Sequence, residues 1–148
     1  MTKSEKAIAL FDHGFNCSQS VLTPFGEEFN LSEDDCLKVS CAFGGGMGRQ
    51  QLTCGAVTGA LMVLGLQFGR AKGDDISRKI TSYEKATEFF ETFTQQNGST
   101  NCRALLQGLN MNDPEELKKI ESLGLFKTSC TKYVKDAVDI AEKMISKG

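Results

Sequence analysis

The sequence predicts an all-α, single-domain helical bundle built around a central glycine-rich apolar helix. Apolar residues recur at helical spacing almost throughout, and no segment sustains the alternation of a strand. Cap and stop residues punctuate the chain where those stripes begin and end. Between Arg49 and Arg70 there is no charged residue at all, so the helix in this stretch has no solvent face and belongs in the middle of a bundle. With 148 residues, the whole chain 1–148 forms one domain, long enough to bury roughly two-thirds of its unfolded surface.

Ala7, Ile8 and Phe11 mark a first helix ending near Gly14. Asn16 caps a second, striped by Cys17, Val21 and Phe25, in which Pro24 must kink or interrupt the ladder. Ser32, Glu33 and Asp34 open a third, which carries Cys36 and Cys41 and stops at Gly44-Gly45-Gly46-Met47-Gly48. Thr53 is the expected cap of the central helix. The dense apolar run from Ala56 to Phe68 falls short of the about 20 residues of a membrane span. Gly55 and Gly59, then Gly65 and Gly69, are expected to let neighbouring helices approach closely, since each interior glycine costs about 1 kcal/mol of helix propensity that packing must offset. Asp74 and Asp75 begin a long helix striped by Ile76, Ile80, Tyr83, Phe90 and Phe93 and stopped by Gly98. Asn101 starts a short helix, Asp113-Pro114 another, and Ser129 caps the last, striped by Cys130, Val134, Ala137, Ala141 and Met144.

The formal net charge is −2 with basic residues scattered, which excludes a nucleic-acid backbone as main partner, because phosphate binding needs a concentrated basic surface. No membrane insertion is expected. The first residues, Met1 to Lys6, lead into an amphipathic segment rather than an uninterrupted apolar one, so the protein is expected to be cytoplasmic. Six cysteines are many for a reducing compartment. There, thiols serve more often as metal ligands or redox groups than as bridges.

Cys17, Cys54, Cys102 and Cys130 each follow a cap-type residue and each begin an apolar stripe. A first-turn cysteine feels the positive end of the helix, which favours thiolate, the nucleophile and the metal ligand. Cys36 and Cys41 fall inside a stripe and are expected in the core. There is no C-x-x-C motif, so thioredoxin-type chemistry and local zinc knuckles are excluded. Any site must be assembled from distant helix starts. Three readings stay open on the residues alone: a metal centre of iron, zinc or an iron–sulfur cluster, a reversible thiol–disulfide pair, or inert core cysteines. The glycine-rich segment lacks the Lys-Ser/Thr ending of a phosphate loop. It serves as a tight connection or as a concavity of N–H groups beside Cys54, which makes Gly45, Gly46 and Gly48 the candidate cofactor-contacting residues, with Arg49 next to them. His13, near a helix end, is expected to be an ordinary solvated histidine. No constellation for hydrolysis or group transfer is visible.

The helix start Cys54-Gly55-Ala56-Val57-Thr58-Gly59 follows Phe43-Gly44-Gly45-Gly46-Met47-Gly48. Together with Asn16-Cys17-Ser18-Gln19, Asn101-Cys102-Arg103 and Cys130 in that order, it resembles the redox-active family named C_GCAxxG_C_C for its cysteine pattern. The resemblance covers nearly the whole chain. It implies Cys17, Cys54, Cys102 and Cys130 as the site, bacterial or archaeal and often anaerobic physiology, and a redox or metal function. A similar domain in split-Soret cytochromes is associated with a non-haem iron centre, which favours an iron–sulfur cluster or iron as the cofactor. An electron-transfer protein would be the partner of such a centre. The glycine-rich apolar helix leaves a homodimer, or a purely binding role, as alternatives.

Overall fold

The computed structural model describes residues 1–147. Eight helices are present among them, and no strands. Helix α1, Lys3–Asp12, starts from a reciprocal capping box between Thr2 and Glu5. Helix α2, Cys17–Leu22, has the same device in Asn16 and Gln19. Pro24 acts as expected: the α-helix gives way to a 3-10 helix over Thr23–Phe29. Helix α3, Glu33–Ser40, is capped by Ser32, and a short 3-10 turn, Cys41–Phe43, follows it.

The glycine-rich segment then winds the wrong way. Gly45, Gly46, Met47, Gly48 and Arg49 have φ of 69°, 69°, 68°, 60° and 67°, which makes one left-handed turn. Met47 and Arg49 adopt a conformation that costs a side-chain-bearing residue about 1–2 kcal/mol. Gly46 is needed for space as well as for φ. A Cβ there would lie 2.6 Å from Cβ of Cys102 and 2.7 Å from Cα of Gln51.

Helix α4, Gly55–Phe68, is the central element. It packs on α2, on the long helix α5 (Ser77–Asn97) and on the last helix α8 (Ser129–Lys147), while α1 lies against α8. Its residues Val57, Ala60, Val63 and Leu64 meet Val21, Phe25, Phe89, Phe93, Val134 and Val138 in the core. The short helices α6, Cys102–Leu105, and α7, Pro114–Ser122, close a second, smaller apolar cluster of Cys102, Leu106, Ile120, Leu125 and Cys130. No helix among the described residues is long and apolar enough to cross a membrane.

Several expected details are corrected. Cys54, not Thr53, is the N-cap of α4, because Thr53 is drawn into an antiparallel bridge with Asn101. Ser129 is the first residue of α8 rather than its cap. Of the paired glycines, only Gly55 and Gly59 admit a neighbour. A Cβ on Gly59 would stand 2.8 Å from the Ser18 carbonyl oxygen, and one on Gly55 3.2 Å from Cβ of Cys17, whereas Gly65 faces open space. The bare ridge of Gly55 and Gly59 therefore seats α2 inside the core and is not free to pair with a second copy.

In α5 the first half of the predicted stripe faces outward, with Ile76, Ile80 and Tyr83 60, 56 and 64% exposed. Ser82, Lys85 and Ala86 take the inner line instead, leading to buried Phe89 and Phe93. Lys85 can do so because its aliphatic stem covers apolar surface while its ammonium sits 4.9 Å above the Phe68 ring.

Candidate redox site

Four elements bring Cys17, Cys54, Cys102 and Cys130 to a single cavity of about 460 Å³. Cys17 is the first residue of α2, placed by the Asn16 cap. Cys54 and Cys102 are set side by side by a short backbone ladder around the Thr53–Asn101 bridge. The Cys54 N–H donates to the Thr100 carbonyl (2.8 Å) and the Cys102 N–H to the Leu52 carbonyl (2.6 Å). Asn101 then caps α6 through the Ala104 N–H (2.9 Å), which fixes Cys102 in the first turn. Cys130 enters from the start of α8, its N–H donating to the Leu125 carbonyl (3.0 Å).

The rest of the wall falls into two parts. Gly44, and Gly45, Gly46 and Gly48 of the left-handed turn, supply bare backbone on one side. Phe11, Leu105, Leu106, Met111, Phe126 and Tyr133 supply an apolar side. Gln51, 5% exposed, ties the two together. Its side-chain amide donates to the Leu109 carbonyl and accepts from the Met111 N–H, both at 2.8 Å. Tyr133 is held by a 2.9 Å hydrogen bond from its hydroxyl to the Leu105 carbonyl.

The thiols interact. Interaction with the Cys130 thiol, together with burial, pushes Cys17 well up, and the same interaction lowers Cys130 against the effect of its burial. Position at a helix start does not by itself favour thiolate here, since Cys17, Cys54 and Cys102 occupy such starts and are all raised. Burial pushes Cys54 up to about 11, against the pull of the facing backbone N–H groups of Ala56 and Val57. Burial likewise pushes Cys102 up to about 12, with Cys54 and Cys130 adding to it. Tyr133 is raised by burial and by Cys130 beside it.

Among the described residues no three Cys, His, Asp or Glu side chains form a group that could hold a metal ion as they stand. The four thiols line one cavity without forming such a group. The expectation for Cys36 holds, since it is fully buried in the core. That for Cys41 does not: it is exposed and lines the same cavity. Its stripe ends with α3 at Ser40, and the 3-10 turn that follows rotates it outward, beside the glycine-rich segment. Position next to that segment was the signal available. Tyr133, three residues beyond Cys130 on one helix face, was legible in the same way.

A larger cavity of about 620 Å³, lined in part by Lys6, His13, Glu27 and Glu33, contains no cysteine. Nδ1 of His13 donates to the Ala9 carbonyl (2.6 Å), so the histidine is engaged with its own helix.

Residues 15–144 match the family model described as "Putative redox-active protein (C_GCAxxG_C_C)". The chain is similar to an uncharacterized protein of Archaeoglobus fulgidus, 27% identical over 151 residues that cover 95% of this chain and 93% of that protein. No solved structure shows a significant match. The matched segment begins just before Cys17 and ends beyond Cys130, and so contains every cysteine of the cavity. The chain belongs to the C_GCAxxG_C_C family of redox-active proteins.

Proposed function

We propose that Cys17, Cys54, Cys102 and Cys130 together hold a polynuclear iron–sulfur cluster for electron transfer or sensing. The observation that carries this reading is the convergence of four cysteines from four separate helix starts on one cavity of about 460 Å³. A cluster spreads its ligands around a core of several atoms, and thiolates are the ligands such cores take. Four thiols lining one cavity supply that donor set. When bound, the cluster would supply one-electron chemistry. The protein's part is to present four thiols, to cover one face with Gly45, Gly46 and Gly48, and to keep water from the other with the apolar wall. Protein purified without oxygen is expected to be coloured and to contain iron and sulfide. A colourless sample with a full thiol titre, also after anaerobic reconstitution, would sink the reading.

The placement of Cys17 and Cys130 around one cavity, with their thiols interacting, favours a second reading, a thiol–disulfide pair without metal. Mild oxidation would then remove two thiols reversibly in wild type and none in Cys17→Ser.

A further inference from the structure

Cys41 is a fifth cysteine of the same cavity, and it differs from the other four in access. Cys54, Cys102 and Cys130 are 4, 8 and 8% exposed and Cys17 is half-buried, whereas Cys41 lies on the surface and also lines the cavity. Its backbone is tied to the interior by one bond. The Asn16 side-chain amide donates to the Cys41 carbonyl (2.8 Å) while the oxygen of the same side chain caps α2, whose first residue is Cys17. One asparagine thus positions both the Cys41 backbone and the helix start that carries Cys17. Met111 adds a thioether to the same cavity against the glycine turn, where a Cβ on Gly45 would meet its sulfur at 3.6 Å. Cys41 thus adds a surface thiol to a cavity already lined by four others, and soft donors of this kind select thiophilic cations.

We infer that Cys41 is the capture ligand of the cavity, the thiol that first binds an incoming thiophilic cation and hands it to the four interior cysteines. The reading rests on the proposed metal site. The step is a ligand exchange with no electron transfer. Cys41 gives its proton to solvent as the sulfur–cation bond forms. That bond then breaks as interior thiols lose their protons and bind the cation, and Cys41 takes a proton back. Cys41 is accordingly absent from the final ligand set.

Cadmium(II) added to the reduced full-length protein under anaerobic conditions tests this, followed by stopped-flow absorption of the thiolate–cadmium band. Cys41→Ser is expected to slow loading by about tenfold at unchanged final amplitude, equivalent to about 1.4 kcal/mol in barrier. Selective alkylation of Cys41 in the wild type should slow loading similarly. Unchanged loading rates in Cys41→Ser would overturn the inference and leave the metal site standing. A lost share of the final amplitude would also overturn it, because Cys41 would then be a permanent ligand. No loading by wild type would overturn the capture role, while iron and sulfide content tests the cluster site independently.

Discussion

Two glycines of one helix make opposite predictions. Gly59 sits where a Cβ would be 2.8 Å from the Ser18 carbonyl oxygen, backbone that cannot yield without moving α2. Gly59→Ala gains helix propensity of about 1 kcal/mol but loses about 1–3 kcal/mol to overpacking. Chemical denaturation should show a net loss, and a shift of the cysteine site along with it. Gly65 faces open space on the same helix. Gly65→Ala should therefore stabilise the protein by about 1 kcal/mol. The sequence motif marked both glycines alike, because spacing shows a ridge but not what lies across it. Ser20 is a third case: its hydroxyl is fully buried without a hydrogen-bond partner. Ser20→Ala should be neutral or stabilising by up to about 1 kcal/mol in the same measurement, since only a desolvated, unpaired group is removed.

Among the elements, helix starts were the most legible feature. Asn16, Ser32, Asn101 and Asp113 all cap the helices expected of them, because a cap is a local hydrogen bond between residues three apart. The ladder that pairs Cys54 with Cys102 was not legible. It joins segments almost fifty residues apart through backbone atoms, which carry no signature in the side chains. The left-handed turn was visible only as glycine, and Met47 and Arg49 within it gave no warning. Gln51 connects these two devices to the segment carrying Met111. Gln51→Ala removes two buried hydrogen bonds and should cost about 1–3 kcal/mol. Hydrogen exchange should rise first at residues 109–111 if that clamp acts as described. Unchanged exchange there would show that the apolar wall holds without it.

At the scale of the whole molecule, the cavity couples stability to pH. Cys54 and Cys102 titrate near about 11 and 12 in the folded protein, above the thiol value of 9.0. Between pH 9 and these values the unfolded chain has lost protons that the folded one still holds, so the slope of unfolding free energy with pH is negative. This contribution is complete below pH 9 and is lost as pH rises toward about 11 to 12. The lowered Cys130 opposes it in part. Denaturation of the reduced, metal-free protein should accordingly show falling stability above pH 9. Cys54→Ser, which replaces a titrating thiol by a hydroxyl, should flatten the decline. Metal binding has the opposite pH dependence, since the thiols must shed protons to become ligands. The bundle itself was largely legible, because helical periodicity and one uncharged stretch suffice to order its layers. The cavity was legible only as four residue names. That they meet depends on α2 resting on Gly55 and Gly59 and on Gly46 leaving room beside Cys102. The most direct test of the central claim is native mass spectrometry of the anaerobically reconstituted protein. A polynuclear centre predicts one added mass of several irons with inorganic sulfide, lost together in Cys54→Ser and Cys102→Ser. A bare protein mass, or a single metal ion bound equally well by both variants, would contradict it.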